Sequence, residues 1–245
     1  HGTTAFWCDI FCVNQHLRSP YGGLLAFAFE PLRNAMLDCD HLKVFMETWD
    51  DPAPLGRIWC LDELRNAILL GKRVEVIMPP QAASSFRGLA EKNPEGTKKD
   101  IERVVQTIDI ERASSTFRAD REFVIGQVRS TIGTRALNLF CRQIIRDALL
   151  KYAGLQEEPL ATGAAALSGE WGGIFAELLD QERGVGVPQR IELKRAVAMM
   201  QMRLSSPGSA LHNEGSAHLQ EAGDMAQRYY GRQSEVFSDI KRLIS

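Results

Sequence analysis

The sequence predicts an α/β fold in its first half and an α-helical segment in its second half. Short apolar runs alternate with helical patterns up to about residue 150 of the 245-residue chain. Strands that alternate with helices are typical of a parallel sheet covered by helices on both faces. After residue 173 only helical patterns remain. The content of 44% hydrophobic and 24% charged residues is typical of a globular protein.

Four runs predict β-strands. The first, residues 5–13, is rich in aromatic and β-branched side chains and is followed by Asn14, Gln15 and His16. The second and third runs, residues 42–46 and 73–78, are bounded by loops that contain proline. Residues 104–110 form a fourth, less regular run. The polar stretch before it, residues 93–99, is interpreted as a loop.

Helical spacing of apolar residues indicates the helices between these strands. The clearest pattern covers residues 56–70 and stops at Gly71, a residue suited to the position after a helix end. The other predicted helices of the first half cover residues 25–36, 82–92, 120–132 and 135–152.

A change of composition divides the chain. Residues 154–173 are rich in Gly, Ala, Glu and Ser and show little periodicity, so we interpret them as a linker. The predicted organisation is an α/β domain over 1–153, the linker over 154–173 and a helical segment of unknown role over 174–245. Within that segment, helices are predicted at residues 174–182, 189–204 and 219–244.

Charge and composition exclude several classes of function. The net charge of −2 favours neither nucleic acid nor an anionic membrane surface as a partner. The longest apolar run, residues 24–29, is too short to cross a bilayer, and no signal peptide pattern is present. Five irregularly spaced cysteines fit reduced thiols, which predicts a cytoplasmic protein. His1 is not an initiator methionine, which indicates a fragment.

The strongest local motif is Trp59-Cys60-Leu61-Asp62-Glu63-Leu64. It resembles the motif that TIR domains, especially those of plant immune receptors, carry on the helix after their third strand. The order of elements over residues 5–150 is also similar to that family. The run Phe6-Trp7-Cys8-Asp9-Ile10-Phe11-Cys12-Val13-Asn14-Gln15 resembles a strand of fungal heterokaryon-incompatibility domains and of TIR-like domains from algae and water moulds. The resemblance implies a flavodoxin-like parallel sheet whose first strand would precede residue 1.

The resemblance also implies a catalytic residue, because in several TIR domains the glutamate of this motif hydrolyses NAD⁺. Here that glutamate is Glu63. Independently, helical geometry makes Trp59 and Glu63 neighbours on one face. It also places Glu63 on the flank of a core stripe made of Ile58, Leu61, Leu64 and Ile68. The alternative is a solvated glutamate beside a packing tryptophan.

Polar residues that follow the strands are candidate contacts for NAD⁺, since ligands of open α/β sheets bind at the carboxyl ends of strands. These residues are Asp9, Asn14, Gln15 and Trp49, with Trp59 shaping the pocket. The alternative is that the first three only cap a strand end. The adjacent carboxylates of Asp50 and Asp51 could bind a metal, but a turn before Pro52 is the more economical explanation for them. Cys8, Cys12 and Cys60 are interpreted as small buried hydrophobes.

The expected function is that of a TIR-like signalling domain, of the kind found in innate immunity, that cleaves the nicotinamide N-glycosidic bond. NAD⁺ is then a substrate, and no cofactor or metal is needed. The alternative is a non-enzymatic adaptor that self-associates and recruits other signalling proteins. A receiver-like regulator is a weaker third possibility, because the required acidic cluster and lysine cannot be placed in this sequence.

Overall fold

The structure is a computed structural model that describes residues 35–155, 163–205 and 207–244, with side chains described outside 163–170. Within these residues the protein is mostly helical with a two-stranded parallel sheet. The predicted strand at residues 5–13 lies outside the described residues. So does most of the helix predicted at 25–36, of which the described end is helical and continues to residue 38.

A β–α–β unit organises the first half. Strand β1 (His41–Phe45) leads through a loop and a 3₁₀ turn into helix α1 (Ile58–Leu69), which returns to strand β2 (Arg73–Ile77). The strands are parallel and in register from His41 opposite Arg73 to Phe45 opposite Ile77. Gly71 adopts a φ of 67°, the left-handed conformation that a glycine after a helix end accepts without strain. These elements confirm the predictions for residues 42–46, 56–70 and 73–78.

The two faces of the described two-stranded sheet differ in burial, and the expectation of helices on both faces of a larger sheet stays a prediction. Val44 and Val76 are buried in the core, whereas Lys43 and Glu75, paired at 3.0 Å on the opposite face, are largely exposed. An alternating apolar and charged strand is typical of a half-solvated sheet, and a doubly covered one needs apolar residues on both faces. The described strands therefore show a parallel α/β arrangement and do not show a flavodoxin-like sheet.

The remaining described elements are helices. They are two short 3₁₀ helices, Ile110–Arg112 and Glu182–Gly184, and the α-helices α2 (Pro80–Lys92), α3 (Pro94–Gln106), α4 (Arg118–Ser130), α5 (Thr134–Ala153), α6 (Gly163–Gln181), α7 (Val187–Arg203), α8 (Ala210–Tyr230) and α9 (Glu235–Ile244). Helices α2, α4, α5 and α7 confirm the patterns predicted for them. The single helix predicted over 219–244 is wrong, because the chain turns at Gly231 with a φ of 87° and starts a new helix at Glu235.

The predicted loop at 93–99 and strand at 104–110 are also wrong. Asn93 caps α3 by accepting a hydrogen bond from the backbone N–H of Gly96 at 3.0 Å, and Pro94 occupies the first turn. After α3, Ile108 and Ile110 are held by side chains of α5 in place of a neighbouring strand. Asn138 accepts from the backbone N–H of Ile110 at 2.8 Å, and Arg142 donates to the carbonyl of Ile108 at 2.9 Å.

The second half packs on the first. Trp171, Phe175, Val197 and Met200 belong to the same hydrophobic core as the buried residues of α1 and α5. The interpretation of 163–173 as irregular linker is corrected, because α6 begins at Gly163 and Trp171 is buried. Residues 156–162 of the predicted linker lie outside the described part. A second apolar cluster joins α7, α8 and α9.

Candidate active site

The start of the motif helix is fixed by a distant loop. Arg57 is extended and forms a parallel bridge with Ser114, just ahead of α4. The backbone N–H of Ile58 donates to the carbonyl of Ser114 at 2.9 Å, and that of Ser114 donates to Gly56 at 2.8 Å. The bridge satisfies one of the donors that the first turn of a helix leaves without an intrahelical partner. The beginning of α1 is thereby tied to the segment that precedes α4.

The core stripe predicted for α1 is confirmed. Ile58, Leu61 and Ile68 are fully buried, and Leu64 is 2% exposed. Burial of such a side chain contributes roughly 1.5–3 kcal/mol. Four of them on one face set the rotation of α1 about its axis, and with it the positions of every other residue of the motif.

Trp59 and Glu63 lie beside this stripe, one helical turn apart, and both are half-buried. Trp59 packs against the main core. Its indole N–H hydrogen-bonds to Asp120, which belongs to the first turn of α4. The face of α1 that carries Trp59 is therefore the face that meets α4.

Asp120 is a buried carboxyl group that sequence reasoning missed. It is 1% exposed, and its Oδ1 atom has no hydrogen-bond partner in the part of the chain that the structure describes. Burial raises the pKa of Asp120, and the hydrogen bond from Trp59 opposes that rise. An aspartate three residues into a helix is common enough to hide this role, because the position favours acidic side chains for electrostatic reasons alone.

The other acidic residue of the motif, Asp62, has a structural role. It is fully buried, and its carboxylate pairs with Arg65 at 2.8 Å and accepts from the side-chain amide of Asn66 at 3.1 Å. Burial raises the pKa of Asp62, while Arg65 and Asn66 oppose the rise. Both of its oxygens are occupied inside α1, and the neighbouring Glu63 is half-buried.

Trp49 follows β1 and packs on α2. Its ring stacks on that of Phe86, with centroids 4.6 Å apart and an interplanar angle of 12°. Trp49 is half-buried, so one part of its surface remains open near the end of β1. Asp50 and Asp51 are exposed, and the described residues contain no group of three or more His, Cys, Asp or Glu side chains suited to hold a metal ion.

The other candidate contacts lie outside the described residues. These are Asp9, Asn14 and Gln15, together with His16 and the cysteines Cys8 and Cys12. Their proximity to Glu63 stays a prediction. Cys60, predicted to be a core residue, is half-buried.

The chain matches no protein-family model, no curated protein and no solved structure. None of the described helices combines the length and the apolar character that crossing a membrane requires. The resemblance to TIR domains therefore stays a hypothesis that rests on the motif and on the order of elements around it.

Proposed function

We propose that this chain is a TIR-like signalling domain that cleaves the N-glycosidic bond of NAD⁺, with Glu63 as the catalytic residue. One observation carries the proposal. The motif lies on the helix of a parallel β–α–β unit, with Asp62 sequestered in an ion pair and Glu63 half-buried beside the core stripe. A half-buried carboxylate at the flank of such a helix is suited to line a cleft that a substrate enters.

The reaction needs little more than electrostatic stabilisation. The bond between the anomeric carbon and the pyridinium nitrogen breaks with its electron pair moving to that nitrogen, so nicotinamide leaves as a neutral molecule. The ribosyl fragment develops oxocarbenium character, which a nearby carboxylate stabilises. A water oxygen then bonds to the anomeric carbon and loses a proton. Glu63 would carry the negative charge that opposes the oxocarbenium ion, and Trp59 and Trp49 would shape the site.

The test is release of nicotinamide by the full-length protein at high concentration, compared with a Glu63→Gln variant. Removal of one preorganised electrostatic stabiliser lowers the rate by roughly a hundredfold or more. A change at a partly exposed position alters the free energy of unfolding by only about 0.5 kcal/mol. The matched control is Glu91→Gln, an exposed glutamate of α2, which should leave the rate unchanged.

Equal rates for the Glu63→Gln variant and the unmodified protein would show that Glu63 is not the catalytic residue. No release by the folded, assembled, full-length protein would exclude the hydrolase and leave the second candidate function.

That second candidate is assembly without catalysis, in which the domain self-associates and recruits other signalling proteins. Phe45 favours it, because this large apolar side chain is 54% exposed at the end of β1, on the sheet face that carries Lys43 and Glu75. A solvent-facing aromatic ring at a sheet is a natural contact for a second protein surface. Sedimentation velocity of a Phe45→Ser variant tests it: a dimer that persists unchanged in the variant would rule out this face.

A further inference from the structure

A cleft between α7 and α8 lies apart from the motif helix. It has a volume of about 570 Å³, within the range of small-molecule sites. One wall is formed by Val187, Arg190 and Lys194 of α7, and the other by Met225, Arg228 and Tyr229 of α8. The lining therefore combines apolar, aromatic and cationic side chains.

The cleft is built on a partly buried ion network. Glu182, only 7% exposed, accepts from Arg190 at 3.2 Å and pairs with Lys194 at 3.2 Å. Lys194 also reaches Glu221 of α8 at 2.7 Å, so it joins both walls. Burial lowers the pKa of Lys194, but its bonds to Glu221 and Glu182 outweigh that effect and raise the pKa overall. Lys194 therefore remains charged and holds the two helices at a fixed spacing.

Two guanidinium groups at the cleft have donors to spare. A guanidinium carries five N–H donors. Within the described residues, Arg190 uses one on Glu182, and its side chain, which is 41% exposed, lines the cleft. Arg228 uses its Nε–H on the backbone carbonyl of Asp224 at 3.1 Å, and no carboxylate of the described residues pairs with it. The lining has three cationic side chains against two carboxylates, an excess of one positive charge.

The unused N–H donors and the aromatic ring indicate the chemical class of a ligand for this cleft. Guanidinium groups bind phosphate and carboxylate through paired hydrogen bonds. Tyr229 is 55% exposed and offers a ring surface next to Arg228, while Val187 and Met225 are apolar. We propose that this cleft binds an aryl oxyanion, a small molecule that joins a phosphate or carboxylate group to an aromatic ring. The oxyanion would meet Arg228 and Arg190, and the ring would lie against Tyr229 and Met225.

The test is a titration of the whole chain with phenyl phosphate and with benzoate, followed by calorimetry and by amide chemical shifts. A dissociation constant near 1 mM corresponds to about −4 kcal/mol, which a few such contacts supply. We expect shifts on α7 near Arg190 and on α8 near Arg228. Whichever probe binds more tightly identifies the oxyanion, and inorganic phosphate should bind at least about tenfold more weakly because it lacks the ring.

Variants separate a ligand site from a purely structural network. Arg228→Gln should weaken binding by about tenfold, the effect of losing one charge-assisted contact, and leave the melting temperature unchanged. The matched control is Arg118→Gln, an arginine of α4 whose side chain is 90% exposed, which should bind the probe normally. Absence of binding by either aryl probe up to about 10 mM would overturn the proposal, since that is tenfold above the expected constant. So would equal binding by the Arg228→Gln variant or by inorganic phosphate alone.

Discussion

The indole N–H of Trp59 on the motif helix hydrogen-bonds to the carboxyl group of Asp120 in the first turn of α4, and the Oδ1 atom of that carboxyl group has no partner among the described residues. Trp59 is one turn before Glu63, and Asp120 is buried. The contact ties the orientation of a motif residue to the protonation state of a buried acid. Stability should therefore depend on pH in a way that can be assigned to Asp120.

The first prediction concerns that dependence. Burial raises the pKa of Asp120 above its value in the unfolded chain, so the folded state binds the proton more tightly. Stability from this group is then fully present below the unfolded pKa and is lost as the pH rises through the folded pKa. Asp120→Asn keeps an acceptor for Trp59 and cannot ionise. Its free energy of unfolding should fall less steeply with pH across that interval, as measured by urea unfolding.

The control for this prediction is Gly126→Ala, a change on the exposed side of α4 that alters no ionisable group. The slope of its free energy of unfolding against pH should match that of the unmodified protein. A curve for Asp120→Asn that is parallel to the unmodified protein would mean that Asp120 does not titrate between the two states.

The second prediction concerns Asp62 and Arg65. Arg65→Ala leaves a buried carboxylate without its cation. This variant should lose about 3–5 kcal/mol in the free energy of unfolding. Replacing both residues with apolar ones of similar size, Asp62→Leu with Arg65→Met, should recover most of the loss. Urea unfolding of Asp62→Leu, of Arg65→Met and of the double variant measures the coupling energy between the two residues. Additive losses would indicate that the pair is not coupled.

The third prediction concerns the crossing of α7 and α8. A Cβ atom at Gly215 would lie 2.9 Å from a side-chain carbon of Met202 and 3.0 Å from the backbone oxygen of Ala198. The side chain can move but the backbone oxygen cannot. Overpacking costs about 1–3 kcal/mol, more than the gain of about 1 kcal/mol from alanine's helix propensity. Gly215→Ala should therefore lower the melting temperature.

Gly126 is the matched control for Gly215. It lies on the exposed side of α4, and a Cβ atom there would meet nothing within 4 Å. Gly126→Ala should raise stability by about 0.5–1 kcal/mol, because alanine loses less backbone entropy in a helix. Stabilisation by both substitutions would show that the helices separate easily at Gly215.

Local patterns predicted the β–α–β unit because each of its elements is specified by nearby residues. The stripe of Ile58, Leu61, Leu64 and Ile68 and the glycine at 71 are sufficient to define α1 and its end. The helix at Pro94–Gln106 was missed although Asn93 and Pro94 are a recognisable start signal, because Val104 and Val105 suggested a strand. The buried positions Thr97, Ile101 and Val105 follow one another at intervals of four residues, a spacing typical of a helix.

Tertiary contacts were beyond the sequence. The burial of Asp120 depends on Trp59, which is distant along the chain, and neither residue's type announces the contact. The ion pair between Lys194 and Glu221 could not be predicted either, because it depends on the crossing of α7 and α8. Lys43 and Glu75 mark the exposed face of the two described strands, and helices on both faces of a larger sheet stay a prediction.

The last prediction concerns the outer edge of β2. The hydroxyl of Tyr152 accepts from the backbone N–H of Met78 at 3.3 Å and donates to the carbonyl of Val76 at 3.2 Å. These two backbone groups face away from β1, because β2 bonds to the β1 side through Ile77, whose carbonyl accepts from the backbone N–H of Met46. One side chain of α5 thus makes the two bonds that a further strand would make. It also covers an edge that would otherwise be open to pairing with another chain.

Tyr152→Phe keeps the ring in the core and removes only the hydroxyl. Both backbone groups then lose a partner in a partly buried setting, and each net hydrogen bond contributes about 0.5–1.5 kcal/mol, so the loss should be about 1–3 kcal/mol. Tyr229→Phe, at a position 55% exposed, should change stability by less than about 0.5 kcal/mol.

Hydrogen exchange locates the effect of Tyr152→Phe in the structure. The amide of Met78 should exchange faster in this variant, while that of Met46, bonded to Ile77 at 2.9 Å, should not. Unchanged protection at Met78 would mean that water or another group replaces the hydroxyl, and that Tyr152 contributes to the fold only through its ring.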